Sequence, residues 1–280
     1  MVDKMFPLGL IGYPLSHSLS PWIHQSFFEK VDLSGTYKLY EIEPEIFSVK
    51  LSEIKEKVVG FNVTLPYKEK IISYIDKLDE TATGSGAVNT VVKKGSDWIG
   101  YNTDGIGYIR SLLNDYPTLF NDKQLRVLLI GAGGAARGIF HALLLNGVKN
   151  IDITNRTLEH AEQLVEDFSS TTNIYSLDAI SKHLEHYDLI IQTTSVGMAP
   201  KDQEAIICLD AIKKTAIVSD IVYRPLETNL LKEARKQGAH IHYGHTMLLH
   251  QAAYAFEIWT GKTVPLGMMA NKLKMKLKGS

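Results

Sequence analysis

Leu125-Arg126-Val127-Leu128-Leu129-Ile130-Gly131-Ala132-Gly133-Gly134-Ala135-Ala136 is the stretch on which the reading of this 280-residue chain turns. Leu125–Ile130 is a short, continuous apolar run of the kind that forms a strand buried on both faces. Gly131 to Ala136 then fits G-x-G-x-x-A, and a helical pattern over Ala135–Asn146 follows, closed by Gly147 at its C-cap. In such a turn the first glycine permits the sharp reversal, the second lets backbone approach a pyrophosphate, and a small third residue lets the helix pack closely on the sheet. The free N–H groups of the helix N-terminus then meet the phosphates. Strand, glycine turn and helix in this order predict a dinucleotide-binding unit.

The next strand indicates which dinucleotide. A site for NAD places Asp or Glu about 20 residues on, at the strand end, to hold the ribose hydroxyls. Here Ile151-Asp152-Ile153-Thr154 leads into Asn155-Arg156-Thr157, so the acid, Asp152, falls inside the strand and an arginine stands at its end. A guanidinium that stacks on adenine and pairs with a 2′-phosphate suits NADP.

Outward from this unit, short apolar runs alternate with helical patterns along the whole chain. Leu8–Ile11, Tyr37–Ile42, Val58–Val63 and Ala87–Val92 read as strands before it. Ile151–Thr154, Leu189–Thr193 and Ile217–Ile221 read as strands after its first one. Helices are expected from Ser20 as N-cap through Lys30, from Pro66 through Ile75, over Ile106–Leu113, Leu158–Phe168 and Asn229–Gln237, and over Thr246–Trp259. Repeated alternation of this kind implies parallel sheets covered by helices. Two such series imply an α/β protein of two domains, joined between Gly105 and Gln124, where Asn114-Asp115-Tyr116-Pro117 reads as a loop. The alternating basic tail Lys272–Lys278 reads as a solvated, partly ordered terminus.

Composition narrows the functions. Lys and Arg number 30 against 31 Asp and Glu, a net charge of -1, which argues against charge-driven binding to nucleic acid or a membrane surface. The one cysteine, Cys208, excludes an intramolecular disulfide, fits a reducing compartment and reads as a small buried residue. Met1–Pro7 lacks the apolar segment of a secretory signal, and no run approaches the length of a membrane span. A cytoplasmic protein is expected. His240, His242, His245 and His250, like His183 and His186 on an expected helix, match no metal-ligand spacing, and no metal is expected.

In the first half, polar residues gather where strands end, which is where α/β sheets bind ligands. Pro14-Leu15-Ser16-His17-Ser18 follows the first strand and Asn62-Val63-Thr64-Leu65-Pro66-Tyr67-Lys68 the third; Asn89-Thr90 and Tyr101-Asn102-Thr103-Asp104-Gly105 come later. Neutral donor–acceptor groups of this kind match hydroxyls and carbonyls, and Lys68 with Asp104 offers a proton-transfer pair.

These segments, together with Gly86–Thr90, Ser195-Val196-Gly197-Met198, Asp220-Ile221-Val222-Tyr223-Arg224-Pro225 and Gly244-His245-Thr246-Met247-Leu248-Leu249-His250-Gln251, resemble the shikimate dehydrogenase family over essentially the whole chain. The resemblance implies an N-terminal α/β substrate domain over 1–105, a Rossmann-type NADP-binding domain over 106–245, and C-terminal helices over 246–280 that return to the first domain. It implies NADPH-linked reduction of 3-dehydroshikimate to shikimate, on the route to aromatic amino acids, by a monomer or homodimer. Carried over by motif, Lys68 is the acid/base at the C3 oxygen with Asp104 beside it. Ser16, Ser18, Thr64, Asn89, Tyr223 and Gln251 hold the substrate's hydroxyls and carboxylate. NADP(H) is expected against Gly131, Ala132, Gly133, Gly134, Ala135, Asn155, Arg156 and Thr157, with Glu80, Ile221 and Gly244 lining its site. A second basic residue common in the family falls here on His160. Two other readings stand beside this one. A quinate/shikimate dehydrogenase of broader substrate or cofactor use is disfavoured, as regards NAD, by Arg156. A non-catalytic ligand-sensing relative is disfavoured by the presence of both Lys68 and Asp104.

Overall fold

The structure, a computed structural model, describes residues 5–16, 18–168 and 172–278; His17 of the Ser16–Ser18 motif and residues 1–4 lie outside the described residues. The chain divides into two units: residues up to Gly107 with Leu249–Leu266, and Tyr108–Leu248 with the residues from Gly267 on.

The first unit contains β1 (Phe6–Gly12), α1 (Ser20–Lys30), β2 (Gly35–Glu41), α2 (Phe47–Lys55), β3 (Gly60–Val63), β4 (Lys77–Leu78), α3 (Glu80–Ser85), β5 (Thr90–Lys94), β6 (Asp97–Tyr101) and the start of α4 (Asp104–Asp115). Its sheet runs β2-β1-β3-β5-β6-β4. The sheet is mixed, a correction to the expectation of parallel strands throughout: β3 pairs β5, and β5 pairs β6, antiparallel. The cause is local. Lys94 pairs Asp97 across the two-residue turn Gly95-Ser96, and Gly95 takes the left-handed backbone (φ 64°) that such a hairpin needs. Ser20 begins α1 instead of capping it, and the hydroxyl of Ser18 accepts from the Ser20 N–H at 3.3 Å. No α-helix follows Pro66. The Lys68 carbonyl is taken by the N–H of Val88 at 2.8 Å, and only a 3-10 turn over Lys70–Tyr74 forms.

The second unit contains β7 (Arg126–Ile130), α5 (Gly134–Leu145), β8 (Asn150–Thr154), α6 (Leu158–Asp167), β9 (Asn173–Tyr175), α7 (Leu177–Ile180), β10 (Leu189–Gln192), β11 (Ile217–Asp220), α8 (Asn229–Lys236), β12 (His240–Tyr243), the start of α9 (Gly244–Thr260) and α10 (Gly267–Lys278). All strands pair parallel in the order β12-β11-β10-β7-β8-β9. Val127, Leu128, Leu129 and Ile130 are all buried, as a strand covered by helices on both faces requires. The order reverses at β7, so the switch point that favours ligand binding lies at the ends of β7 and β10.

From Leu249 on, α9 belongs to the first unit. Phe256 and Trp259 there pack with His24, Phe27, Phe28 and Tyr37, and the Trp259 indole donates to the Val91 carbonyl at 2.9 Å. α10 does not return with it, which differs from the expectation for 246–280. It groups with the second unit, burying Met269, Leu273 and Leu277 and setting Lys274 Nζ 5.0 Å from the Tyr243 ring centre. The basic tail is therefore an ordered amphipathic helix. Met268 on the same helix is exposed.

Candidate active site

Four segments of the first unit converge on one carboxylate. Asp104 opens α4, where the Asn102 side chain accepts from its N–H at 3.0 Å. Its Oδ2 receives Lys68 Nζ at 2.5 Å and its Oδ1 receives Asn89 Nδ2 at 2.9 Å. The hydroxyl of Thr103, the residue before it, lies 3.1 Å from Asn89 Oδ1 and 3.3 Å from Oε1 of Gln251 on α9. Lys68 is carried just beyond β3 by the Thr64–Tyr67 turn. Tyr67 is buried and its hydroxyl donates to the Ile42 carbonyl, which fixes the far end of the turn. The lysine side chain keeps 21% of its surface exposed against 9% for Asp104, so the carboxylate sits beneath and the ammonium reaches outward. A cation poised on a buried carboxylate at a strand end can deliver or take a proton from a bound hydroxyl or carbonyl.

Ser16 is exposed and Ser18 half-buried on the loop after β1. Thr64 lies against the end of that strand: its N–H donates to the Ile11 carbonyl at 2.9 Å, and a Cβ added at Gly12 would stand 2.4 Å from its methyl. Thus Lys68, Asn89, Asp104 and, through Thr103, Gln251 are joined directly, whereas Ser16, Ser18 and Thr64 share a neighbouring loop pair. Glu80, in the first turn of α3, is exposed and joins neither group. Asn62, Thr90, Asn102 and Thr103 lie buried around this cluster and were not singled out from the sequence. Their presence in the quoted motifs was the only signal.

In the second unit the glycine turn is fixed from within at one end and open at the other. Gly131 has φ 113°, its N–H donates to the Thr154 carbonyl at 2.8 Å, and a Cβ there would lie 2.4 Å from Thr193 Oγ1. Conformation and packing both demand glycine at that position. Gly133 has an ordinary extended backbone (φ -82°, ψ -174°), and a Cβ at Gly133 or Gly134 would meet no atom of the chain within 4 Å. Nothing inside the protein asks for glycine there, whereas a pyrophosphate approaching the backbone would. The first turn of the 12-residue α5 carries no acidic residue, and its N-terminus favours an anion. The residues present fit a dinucleotide.

At the end of β8, Asn155 Nδ2 donates to the Thr157 carbonyl at 2.7 Å, which shapes the turn, while Arg156, Thr157 and His160 are exposed. Asp152 is not free to hold a ribose: it is buried mid-strand, accepting from Tyr187 at 2.7 Å and Asn173 at 2.9 Å. A Cβ at Gly244 would stand 2.4 Å from the Ile221 carbonyl, so these two expected cofactor residues abut. Tyr223 is half-buried, and burial raises its phenol above the ordinary range. Between them and β10 lies a knot that the sequence reading missed. Asp220 accepts from Val222 N at 2.9 Å, Thr228 Oγ1 at 2.7 Å and Gln192 Nε2 at 3.3 Å, and burial pushes its carboxyl up to about 6. Gln192 also donates to the carbonyls of Thr194 and Val196, tying together the loops after β10 and β11.

Cys208 is exposed, not buried, and the adjacent Asp210 carboxylate pushes its thiol up, away from a nucleophilic thiolate. His183 precedes and His186 ends a 3-10 turn (Leu184–His186) instead of sharing an α-helix; with Glu185 their ligand atoms lie within 4.8 Å of one another on the surface.

Family comparisons agree with this layout. Residues 10–91 match the shikimate dehydrogenase substrate binding domain, residues 117–225 match shikimate / quinate 5-dehydrogenase, and residues 244–274 match the shikimate 5'-dehydrogenase C-terminal domain. The chain is 51% identical to shikimate dehydrogenase (NADP(+)) of Oceanobacillus iheyensis, over 97% of this chain and 98% of that one. The crystal structure of shikimate 5-dehydrogenase from Thermus thermophilus in complex with NADP(H) and shikimate superposes with TM-score 0.87 at 31% identity, covering 97% of this chain and 99% of that one. That of the Listeria monocytogenes enzyme in complex with shikimate and NAD gives TM-score 0.86 at 35% identity, covering 98% and 96%.

Proposed function

The chain belongs to the shikimate dehydrogenase family, and on that premise we propose that it catalyses the reversible, NADP-dependent reduction of 3-dehydroshikimate to shikimate, a step of aromatic amino acid biosynthesis. Bound NADPH supplies the hydride to the C3 carbonyl carbon. The chain must hold the substrate and manage one proton. Lys68 gives that proton to the C3 oxygen during reduction and takes it back during oxidation of shikimate. Asp104 orients the lysine and, with Asn89, presents a fixed polar floor to the substrate. Ser16, Ser18, Thr64, Tyr223 and Gln251 are the groups for the remaining hydroxyls and the carboxylate. Gly131 to Ala135 would hold the pyrophosphate, and Asn155, Arg156, Thr157 and His160 the adenosine 2′-phosphate end. Glu80, Ile221 and Gly244 complete the cofactor site. The first unit is thus the substrate domain and the second the NADP domain.

The observation that carries this reading is the 2.5 Å Lys68–Asp104 pair, with Asn89 on the carboxylate's other oxygen. Selection of NADP is supported by an exposed arginine, with no available acid, at the end of β8. Among the described residues no helix is long and apolar enough to cross a membrane; a cytoplasmic monomer or homodimer is our reading of its setting. The test is the initial rate of nicotinamide reduction with shikimate under NADP+ and NAD+, repeated with quinate. Fast, NADP+-dependent oxidation of shikimate and weak use of quinate is the expected result. Comparable rates with quinate or NAD+ would instead indicate the broader shikimate/quinate activity that the second matched family description names.

A further inference from the structure

Beneath the Lys68–Asp104 pair a chain of hydrogen bonds runs through the buried interior of the first unit. The Tyr37 hydroxyl donates to Asn62 Oδ1 at 2.7 Å. Asn62 Nδ2 donates to the Asn89 carbonyl at 3.0 Å and to Thr90 Oγ1 at 2.9 Å. Thr90 Oγ1 donates to Asn89 Oδ1 at 2.9 Å, and Asn89 Nδ2 donates to Asp104 Oδ1. Tyr37, Asn62, Asn89, Thr90 and Asp104 are all buried.

The main-chain groups along this chain set the direction of its bonds at Asn62 and Asn89. A main-chain carbonyl can only accept, so Asn62 must turn its NH2 toward Asn89 and its oxygen toward Tyr37. Both Asn62 hydrogens are then spent, and Thr90, receiving one of them, has its own proton left for Asn89 Oδ1 at 2.9 Å, the nearer acceptor beside Thr103 Oγ1 at 3.4 Å. A main-chain N–H can only donate, and that of Thr103 meets the same Oδ1 at 2.8 Å. Asn89 is therefore locked with its oxygen inward and its NH2 toward Asp104. Burial drives the Tyr37 phenol well above its ordinary range, which keeps it a neutral donor at the head of the chain. Aligned donors of this kind reinforce one another in a low-dielectric interior.

We propose that Tyr37, Asn62 and Thr90 are positioning residues for the reaction, a one-way hydrogen-bond chain that fixes the Asn89 amide and so holds Asp104 as an acceptor facing Lys68. This rests on the roles given above to Lys68, Asp104 and Asn89. Each of the three acts through Asn89.

Thr90 allows a clean test, because its methyl and its hydroxyl can be removed separately. Thr90→Val keeps the shape and deletes the hydroxyl; Thr90→Ser keeps the hydroxyl and deletes the methyl. With shikimate and NADP+ we expect Thr90→Val to lower kcat about tenfold and to shift the pH profile of kcat, as loss of a buried directed hydrogen bond does. Thr90→Ser should stay within about twofold of wild type despite its poorer packing. Tyr37→Phe, which deletes a single oxygen at the head of the chain, should lower kcat about threefold. The double variant Tyr37→Phe with Thr90→Val should be no slower than Thr90→Val alone, because both break one chain. Thermal melting confirms that each variant is folded, and Tyr37→Phe keeps the test decisive should Thr90→Val not fold. Wild-type kcat and pH profile in folded Thr90→Val, an equal loss in Thr90→Ser, or additive losses in the double variant would overturn the proposal. A wild-type protein that does not oxidise shikimate at all would overturn the assigned function instead, so the two failures read differently.

Discussion

In the first unit the site is made of side chains, each held by another, from Tyr37 through Asn62, Thr90 and Asn89 to Asp104 and Lys68. In the second unit it is made of main chain: a glycine turn with open space at Gly133 and Gly134, a helix N-terminus, and exposed side chains at the end of β8. The difference matches the two tasks. The proton transfer proposed for the first needs one geometry held rigidly, and a buried hydrogen-bonded network suits it. Holding a long anionic cofactor needs many weaker donors over an accessible surface, and backbone N–H groups supply those without occupying space. Substitutions in the first site should therefore act on turnover, and those in the second on affinity.

The largest effect should come from Lys68→Ala. Removal of an acid/base group is expected to lower kcat about a thousandfold, while KM for shikimate changes only a few-fold. Steady-state kinetics in the direction of shikimate oxidation would measure both. A variant that loses affinity and keeps turnover would break the contrast between the units, because Lys68 would then be a binding group like those of the second site.

Arg156→Ala probes the other side. If the guanidinium pairs with the 2′-phosphate, KM for NADP+ should rise roughly tenfold to a hundredfold, the value of a charge-assisted bond, with kcat little changed. NAD+ lacks that phosphate, so its KM should be nearly untouched. An equal loss for both cofactors would show that Arg156 serves the adenine or the fold, and the β8 end would no longer be the point of selection.

How much of this was legible beforehand follows the same division. The second unit's site is local in sequence: strand, glycines and helix are consecutive, and the pattern shows four of the six parallel strands directly, while the short β9 and the half-polar β12 escape it. The first unit's cluster draws on residues 62, 68, 89, 103, 104 and 251, which only tertiary pairing brings together. Resemblance carried Lys68, Asn89, Asp104 and Gln251, while Asn62 and Thr90 sat in the quoted motifs with no individual reason to be chosen. The β5–β6 hairpin was missed although Gly95-Ser96 is a hairpin signal, because the helix–strand alternation elsewhere favoured parallel pairing. α10 was misplaced because an alternating Lys-Leu-Lys-Met run does not announce the helical face formed by Met269, Leu273 and Leu277.

The two units also differ in how acid should reach them, and His24 isolates the smallest of the three effects. It is fully buried in the first unit, stacked 4.3 Å from the Tyr37 ring and bordered by Phe27, Phe256 and Trp259. Burial lowers its pKa from 6.5 to about 3. Above pH 6.5 the ring is neutral folded or unfolded and titration contributes nothing. As pH falls below 6.5 the unfolded chain takes up a proton that the folded one refuses, so stability is lost progressively down to about pH 3. At pH 5 that loss amounts to about 2 kcal/mol. His24→Phe keeps an aromatic ring against Tyr37 and removes the titration. Denaturant unfolding at pH 8 and pH 5 should therefore show the wild type losing about 2 kcal/mol more than the variant over that interval. In the second unit, Asp220 at about 6 and His245, lowered by burial to about 4, add slopes of opposite sign, so the informative quantity is the difference between the two proteins at each pH. Parallel curves would mean that His24 opens to water before the unit unfolds. The sealed interior that distinguishes the first site from the second would then be permeable at the ring stacked on Tyr37, the head of the chain that orders Asp104.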